Sequence, residues 1–292
     1  MSVAARAWGS LRRNALPLYA ALAVAYMLIP IVVIAVFSFG EAPKDKLTFG
    51  LDEGFTLEYW ETVFSLPQLN DALMTSLRLA AFSTVISTAI GTLMAIALVR
   101  HRFVGRRAAN LLIVIPMATP EVVIGAALLS MFIYYTFALG FTTLLIAHVM
   151  FSISFVVVVV RSRLIGFDRH LEEAAADLGA TPLATFRTVT LPLLAPGVVA
   201  AALLAFALSI DDFVISNFNS GTTVTFPLYV YGVSLRGIPV QVNALATLLF
   251  LVAVVAVALV LWQQRRAERL AAVRPELEPS APIPAPPAQA TT

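Results

Sequence analysis

Six stretches of this chain are apolar for long enough to cross a lipid bilayer, and that limits the structures open to it. A hydrocarbon core about 30 Å thick needs about 20 consecutive apolar residues in helical form. Helix is the expected form because the backbone must satisfy its own hydrogen bonds where there is no water. The runs fall at about 17–39, 71–99, 108–135, 142–160, 194–218 and 243–262. Only 12% of the 292 residues are charged, whereas a soluble domain carries about a quarter. That leaves too little polar surface to face water on all sides. The expected fold class is an all-α integral membrane protein with six transmembrane helices.

The position of the charges sets the expected orientation. Arg6, Arg12 and Arg13 precede the first run, and Arg100, Arg102, Arg106 and Arg107 follow the second. Arg161, Arg163, Arg169 and Arg187 lie between the fourth and fifth, and Arg265, Arg266, Arg269 and Arg274 follow the sixth. With a cytoplasmic N-terminus, 15 of the 19 basic residues face inward, as the positive-inside rule requires. Only Lys44, Lys46 and Arg236 fall outside, and Arg78 lies within the second run. Both termini are therefore expected in the cytoplasm. No small-x-small cleavage pattern occurs near Phe37-Ser38-Phe39, so the first run reads as an uncleaved helix. Residues 40–70 form a polar outer loop with six acids (Glu41, Asp45, Asp52, Glu53, Glu58, Glu61). Its aromatics Phe55, Tyr59 and Trp60 suit a membrane interface. The expected divisions are a cytoplasmic N-terminus at 1–16, the first helix and outer loop at 17–69, and a five-helix domain at 70–262. A Pro/Ala-rich tail at 263–292 completes the chain, and from about Pro275 it lacks the apolar content to fold.

The loop at 161–193 is the most structured polar segment in the sequence. Asp168 is placed to cap a helix over 169–178, and Gly179 to stop it. Thr181-Pro182 reads as a second N-cap with proline in the first turn, so a second short helix follows. Ala174, Ala175 and Ala176 leave a nearly side-chain-free face, and Glu172, Glu173 and Asp177 offer charge to a basic partner. An amphipathic surface hairpin with no docking role would use the same helix formers.

The segment Glu173-Ala174-Ala175, Gly179, nine residues, then Val189-Thr190-Leu191-Pro192 resembles the EAA loop of the permease subunits of ABC importers. The chain from about Asn70 to Trp262 is similar to a type I importer permease. Several stretches (Thr119–Gly125, Ser162–Asp168, Leu208–Val214 and Asn243–Thr247) most resemble spermidine/putrescine permeases of the C type. The resemblance implies the type I permease fold with cytoplasmic coupling helices. It makes Glu172, Glu173, Ala174, Ala175, Gly179, Leu191 and Pro192 the residues that couple to the ATPase. It also implies the partners: a dimer of ATP-binding subunits, a second homologous permease subunit, an extracytoplasmic solute-binding protein and membrane lipid, with no nucleic acid. The expected function is ATP-driven import across the bacterial inner membrane, with a polyamine as solute or, as alternatives, Fe³⁺, sulfate or thiamine. Relatives often carry proline within the fourth span, where this chain has Ser154.

Carboxylates inside apolar spans are costly without a partner and mark functional positions. Glu121 follows Thr119-Pro120, where the third span is expected to break and restart with Thr119 as its cap. Glu121 then either faces a translocation path or compensates the positive end of the new helix. On a continuous fifth span, Ser209, Asp212, Ser216 and Asn219 form one stripe. Asp212 and Ser216 are accordingly expected on the path and Asp211 toward a neighbour, unless both acids are simply solvated at the outer end. Arg78 is a candidate ion-pair partner for one of these acids or reaches headgroups, and His148 suits a hydrogen-bonding role between helices.

What the sequence lacks narrows the function further. There is no cysteine, which removes thiolate chemistry and Cys-based metal sites, and His101, His148 and His170 are far apart. No nucleophile–base pair is evident in the spans, so no catalytic residue is assigned. No G-x-x-x-x-G-K-[ST] occurs, so no cofactor is expected on this chain and ATP with Mg²⁺ belongs to a partner ATPase. A channel or self-sufficient secondary transporter would need no docking loop.

Overall fold

The structure is a computed structural model, and it describes residues 3–40, 54–166, 168 and 170–273. The expected disorder of the tail beyond 273, and most of the outer loop with Glu41, Lys44, Asp45, Lys46, Asp52 and Glu53, lie outside the described residues. So does Arg169. In chain order the helices are α1 (Val3–Phe37), α2 (Glu58–Glu61), α3 (Pro67–Arg100), α4 (Arg106–Ala118), α5 (Glu121–Tyr134) and α6 (Phe141–Ile165). There follow α7 (His170–Asp177), α8 (Pro182–Thr185), α9 (Leu191–Ile210), α10 (Val214–Asn219), α11 (Phe226–Ser234) and α12 (Val240–Val273). Among the described residues five helices are long and apolar enough to span a membrane, six if the bent pair α4–α5 is one span.

The chain divides into two compact units, Phe64–Pro239 and Met1–Val63 with Val240–Thr292. In the second of these units α12 packs along α1. In that unit Phe39 stacks on Trp60 at 5.2 Å, and Gly40 pairs with Phe55 in a single antiparallel bridge.

The larger unit is built on α3, α6 and α9, which pack on one another. Along α3 the buried face includes Ala72, Ser76, Ala80, Ser83, Ser87, Gly91 and Ala95, small residues at spacings of three and four. α9 answers with Gly197, Ala201, Ala205 and Ser209. Lipid tails are as apolar as leucine, so helix association in a bilayer relies on close backbone approach rather than hydrophobic expulsion. Small faces supply that approach, and α6 fills the remaining space with Phe151, Val156, Val157 and Val160. Leu69, Leu79 and Leu98 on α3 and Leu194 on α9 are buried beside these small residues, while Phe82, Val85 and Leu93 on α3 and Val199 and Leu203 on α9 are exposed. α6 runs unbroken from Phe141 to Ile165 through buried Ser154.

Three expectations change. α8 is not a separate helix, because a π-helical turn at Phe186–Thr190 joins it directly to α9. Helix therefore runs from Pro182 to Ile210, and the fifth span starts earlier and stops earlier than the expected 194–218. Helix α11 occupies what read as loop, its start set by extended Thr225 and by Pro227 in the first turn.

At Gly91 an added Cβ would sit 2.6 Å from Val156 Cγ1 and 3.3 Å from the Ile153 carbonyl oxygen. Gly91→Ala is expected to destabilise the protein by about 1–3 kcal/mol, the usual range for overpacking. A thermal melt in detergent measures this, and adding Val156→Ala should return part of the loss.

Candidate functional site

Two helix breaks place the polar residues of the larger unit. The first separates α4 from α5. Pro120 cannot donate to a continuing helix and holds Thr119 extended (φ −89°, ψ 135°), as residues before proline prefer. α5 restarts at Glu121 with its axis turned by 111°. The Thr119 hydroxyl donates back to the Ile115 carbonyl at 2.7 Å, so it closes α4 and does not cap α5 as expected. Glu121 occupies the first position of α5 and is exposed, where a carboxylate suits the helix's positive end.

The second break, Asp211–Phe213, lies between α9 and α10. The Asp212 carboxylate accepts from the Ile215 and Ser216 backbone N–H groups at 3.2 and 2.8 Å. Asp competes with helix by such local bonds, and here it ends one helix and starts another. The continuous-stripe argument for Ser209, Asp212, Ser216 and Asn219 therefore fails in its geometry. The residues nonetheless gather, through tertiary contact. Ser83 donates to Ser209 Oγ at 2.9 Å, and Ser209 lies 2.8 Å from His148 Nδ1. His148 Nε2 is 3.0 Å from Ser216 Oγ and 3.5 Å from Asp212 Oδ2. With the ring proton on Nε2, Ser83 donates to Ser209, Ser209 to His148 and His148 to Ser216, so the chain of donors closes. Asn219 extends the network by donating to the Gly125 and Ile215 carbonyls, and Thr143 donates to the Asn219 carbonyl. Helices α3, α5, α6, α9 and α10 are stitched together at one point.

This network is sealed. Ser216 is 0% exposed, Ser209 4% and the Asp212 side chain 6%. A Ser–His contact this enclosed holds helices together and offers no access to a hydrolysable substrate. The Asp212 side chain and Ser216 are internal, and Asp211 is exposed. α10 packs on α5 and Asn219 donates to the Gly125 carbonyl, so the break before Glu121 and the break that carries Asp211 and Asp212 are brought together from distant parts of the chain. Arg78 is exposed and makes no ion pair among the described residues.

The loop after α6 has the predicted caps. The Asp168 carboxylate accepts the His170 backbone N–H at 3.0 Å and meets His170 Nδ1 at 2.6 Å. The backbone bond, then the ring bond, hold Asp168 below the usual carboxylate range, and the ring bond raises His170. α7 ends in a Schellman motif: Gly179 donates to the Ala176 carbonyl and Ala180 to the Ala175 carbonyl. Gly179 takes φ +84°, as that position requires. Thr181 accepts from the Ala184 N–H at 3.3 Å. Glu173, Ala174, Gly179, Leu191 and Pro192 are exposed, Ala175 is half-buried, and Leu178 is 90% exposed. Glu172 is half-buried. Arg100 reaches it at 3.0 Å and Thr190 donates to it at 2.7 Å, which ties α7 to the end of α3 and the base of α9. Arg161 similarly ties α6 to α4 by donating to Asn110 Oδ1 at 2.7 Å. The pairings of Arg100, Arg161 and Ser83 left no local sequence signal, although the small-residue spacing around Ser83 marks a packed face.

Removing His148 leaves Ser209, Ser216 and Asp212 buried without their common partner. His148→Ala is expected to lower stability by about 2–4 kcal/mol, measured by thermal unfolding in detergent. Asp211→Asn, on an exposed side chain, should leave the melt unchanged.

Residues 87–269 match the family model described as binding-protein-dependent transport system inner membrane component. The chain is 39% identical over 237 residues to the spermidine/putrescine transport system permease protein PotC of Haemophilus influenzae, covering 80% of this chain and 90% of that protein. It is 35% identical over 232 residues to the putrescine transport system permease protein PotI of Escherichia coli (strain K12), covering 77% and 81%. Its fold is similar, with a TM-score of 0.62 and 17% identity, to a chain from a crystal structure of a bacterial alginate ABC transporter in complex with a pentasaccharide-bound periplasmic protein. That match covers 91% of this chain and 98% of the other. The chain belongs to the family of binding-protein-dependent transport system inner membrane components, the multi-pass permease subunits of ABC importers.

Proposed function

We propose that this permease carries polyamines such as spermidine and putrescine, with Glu121 and Asp211 facing the solute. The observation that carries the reading is the gathering of Glu121, Asp211 and Asp212 at two helix breaks, two of them exposed. A polyamine entering a membrane loses water from its ammonium groups, and a few spaced carboxylates replace that solvation without trapping it. Half-helices and broken backbone at a translocation site are a recurring solution. The two relatives named above, whose printed names are polyamine permeases, support the same solute. Asp212 supports the path indirectly, by fixing the break that presents Asp211.

The same reading assigns the exposed Glu173–Ala175 face, Gly179, Leu191 and Pro192 to docking a dimer of ATPase subunits that bind ATP and Mg²⁺. Glu172 holds that face to the membrane helices through Arg100 and Thr190. α8, the π turn and α9 form one continuous rod, so movement of the docked loop is carried straight into the fifth span. A second homologous permease subunit and an extracytoplasmic binding protein complete the complex. Both termini of this chain lie in the cytoplasm of the bacterial cell.

Glu121→Gln and Asp211→Asn are each expected to lower polyamine uptake about tenfold, the scale of one lost charge-assisted contact. Assembly and basal ATPase activity should stay near normal. Radiolabelled putrescine and spermidine uptake in proteoliposomes reads this, and wild-type uptake by both variants would overturn the path assignment.

Gly179→Val places a β-branched side chain at φ +84°, a strain of about 1–2 kcal/mol. Uptake and substrate-stimulated ATPase activity should fall together while binding-protein docking persists. Unchanged coupling in that variant, with normal expression, would remove the loop from the mechanism.

A further inference from the structure

At the start of α4 lies a cleft of about 520 Å³ lined by Phe103, Gly105, Arg106, Arg107 and Asn110. It sits between two kinds of environment. Residues 100–110 contain four arginines and no acid. Beyond them α4 turns apolar, with Leu111, Leu112 and Ile115 exposed by 61%, 66% and 47%.

Two neighbouring cations are engaged by other side chains, whereas Arg102, Arg106 and Arg107 form no ion pair among the described residues. Arg100 is held by Glu172, and Arg161 by Asn110. Asn110 in turn donates to the Arg106 carbonyl at 2.9 Å, so both ends of its amide are engaged and the cleft floor is fixed. No carboxylate among the described residues pairs with Arg106 or Arg107. Gly105, at φ +91°, brings the chain into α4 without a side-chain cap for the first turn. The Arg106 N–H is taken by the Phe103 carbonyl at 3.3 Å, and two guanidinium groups beside the following N–H groups of the first turn make a site for an oxyanion, since guanidinium matches phosphate geometry and helix N-termini favour negative charge. The exposed apolar strip directly beyond demands a hydrocarbon neighbour. A ligand that is anionic at one end and apolar at the other satisfies both.

We propose that this cleft binds an anionic phospholipid, with Arg106 and Arg107 on the phosphate and the acyl chains along Leu111, Leu112 and Ile115. The site is separate from the carboxylates at the helix breaks and does not depend on which solute is carried.

The test uses the full chain with the subunits that copurify with it, titrated in detergent with dioleoylphosphatidylglycerol or dioleoylphosphatidylcholine and read by native mass spectrometry. The phosphatidylglycerol should bind and be retained, and Arg106→Gln with Arg107→Gln should weaken it about tenfold, two lipid-facing charges being lost. The control pair Arg236→Gln with Arg265→Gln, also exposed, should not. Leu112→Gln should weaken the lipid while leaving inorganic phosphate binding unchanged, and it serves where the double variant fails to fold. Equal phosphatidylglycerol binding by the wild type and the double variant overturns the proposal. So does an equal loss in the control pair, which would mean diffuse charge attraction. Displacement of the lipid by millimolar inorganic phosphate, with Leu112→Gln silent, would make this a phosphate site and not a lipid site.

Discussion

Polar groups inside a bilayer are stabilised by partners within the protein, and the network around His148 supplies them for Ser83, Ser209 and Ser216. Hydrogen bonds gain strength in a low dielectric, and an unpaired polar group there costs correspondingly more. His148 reaches α9 and α10 at once, through Ser209 and Ser216. Ser83 and Asn219 carry the same network to α3 and α5. The irregular backbone at Asp211–Phe213 is tolerated because Asp212 satisfies the first N–H groups of α10. Without that cap, a break at this depth would expose backbone to hydrocarbon.

The network depends on close helix packing, and the packing depends on small residues. Gly91 lies against Val156, and Gly197 lies against the aliphatic stem of Arg163, where an added Cβ would be 2.9 Å from its Cβ. Hydroxyls as short as those of Ser83 and Ser209 meet only when backbones approach this closely. Packing and polar pairing thus reinforce each other: small faces permit short bonds, and the bonds fix the register of the faces.

The loop between α6 and α9 has a different construction from the membrane core. It is built from local caps, the Asp168, Thr181 and Gly179 motifs, and needs few tertiary contacts to take its shape. Among the described residues, Arg100 and Thr190 attach it through Glu172. A self-sufficient shape with a firm attachment suits a part that passes force between a partner and the membrane helices. The π turn at Phe186–Thr190 sits where that part meets α9, and such turns are frequent at functional positions.

The sequence by itself determined what depends on neighbours along the chain. Apolar runs of sufficient length established the spans. Proline at 120 located the first break, and Thr181, Pro182 and Gly179 set the loop's caps, because each acts on the backbone within about four residues. The tertiary structure alone decided which polar groups meet. The Asp211-Asp212 pair could equally have continued the helix, and a helical stripe through Ser209 and Ser216 was a reasonable expectation from periodicity. The outcome turned on His148, 61 residues from Ser209, which rewards the broken backbone with a buried partner that no local pattern encodes. For the same reason no local pattern marked Arg100, 72 residues away, as the partner of Glu172. Charge pairing acts through space and is independent of separation along the chain, so the exposure of Asp211 and the enclosure of Asp212 could be read only once the helices were packed.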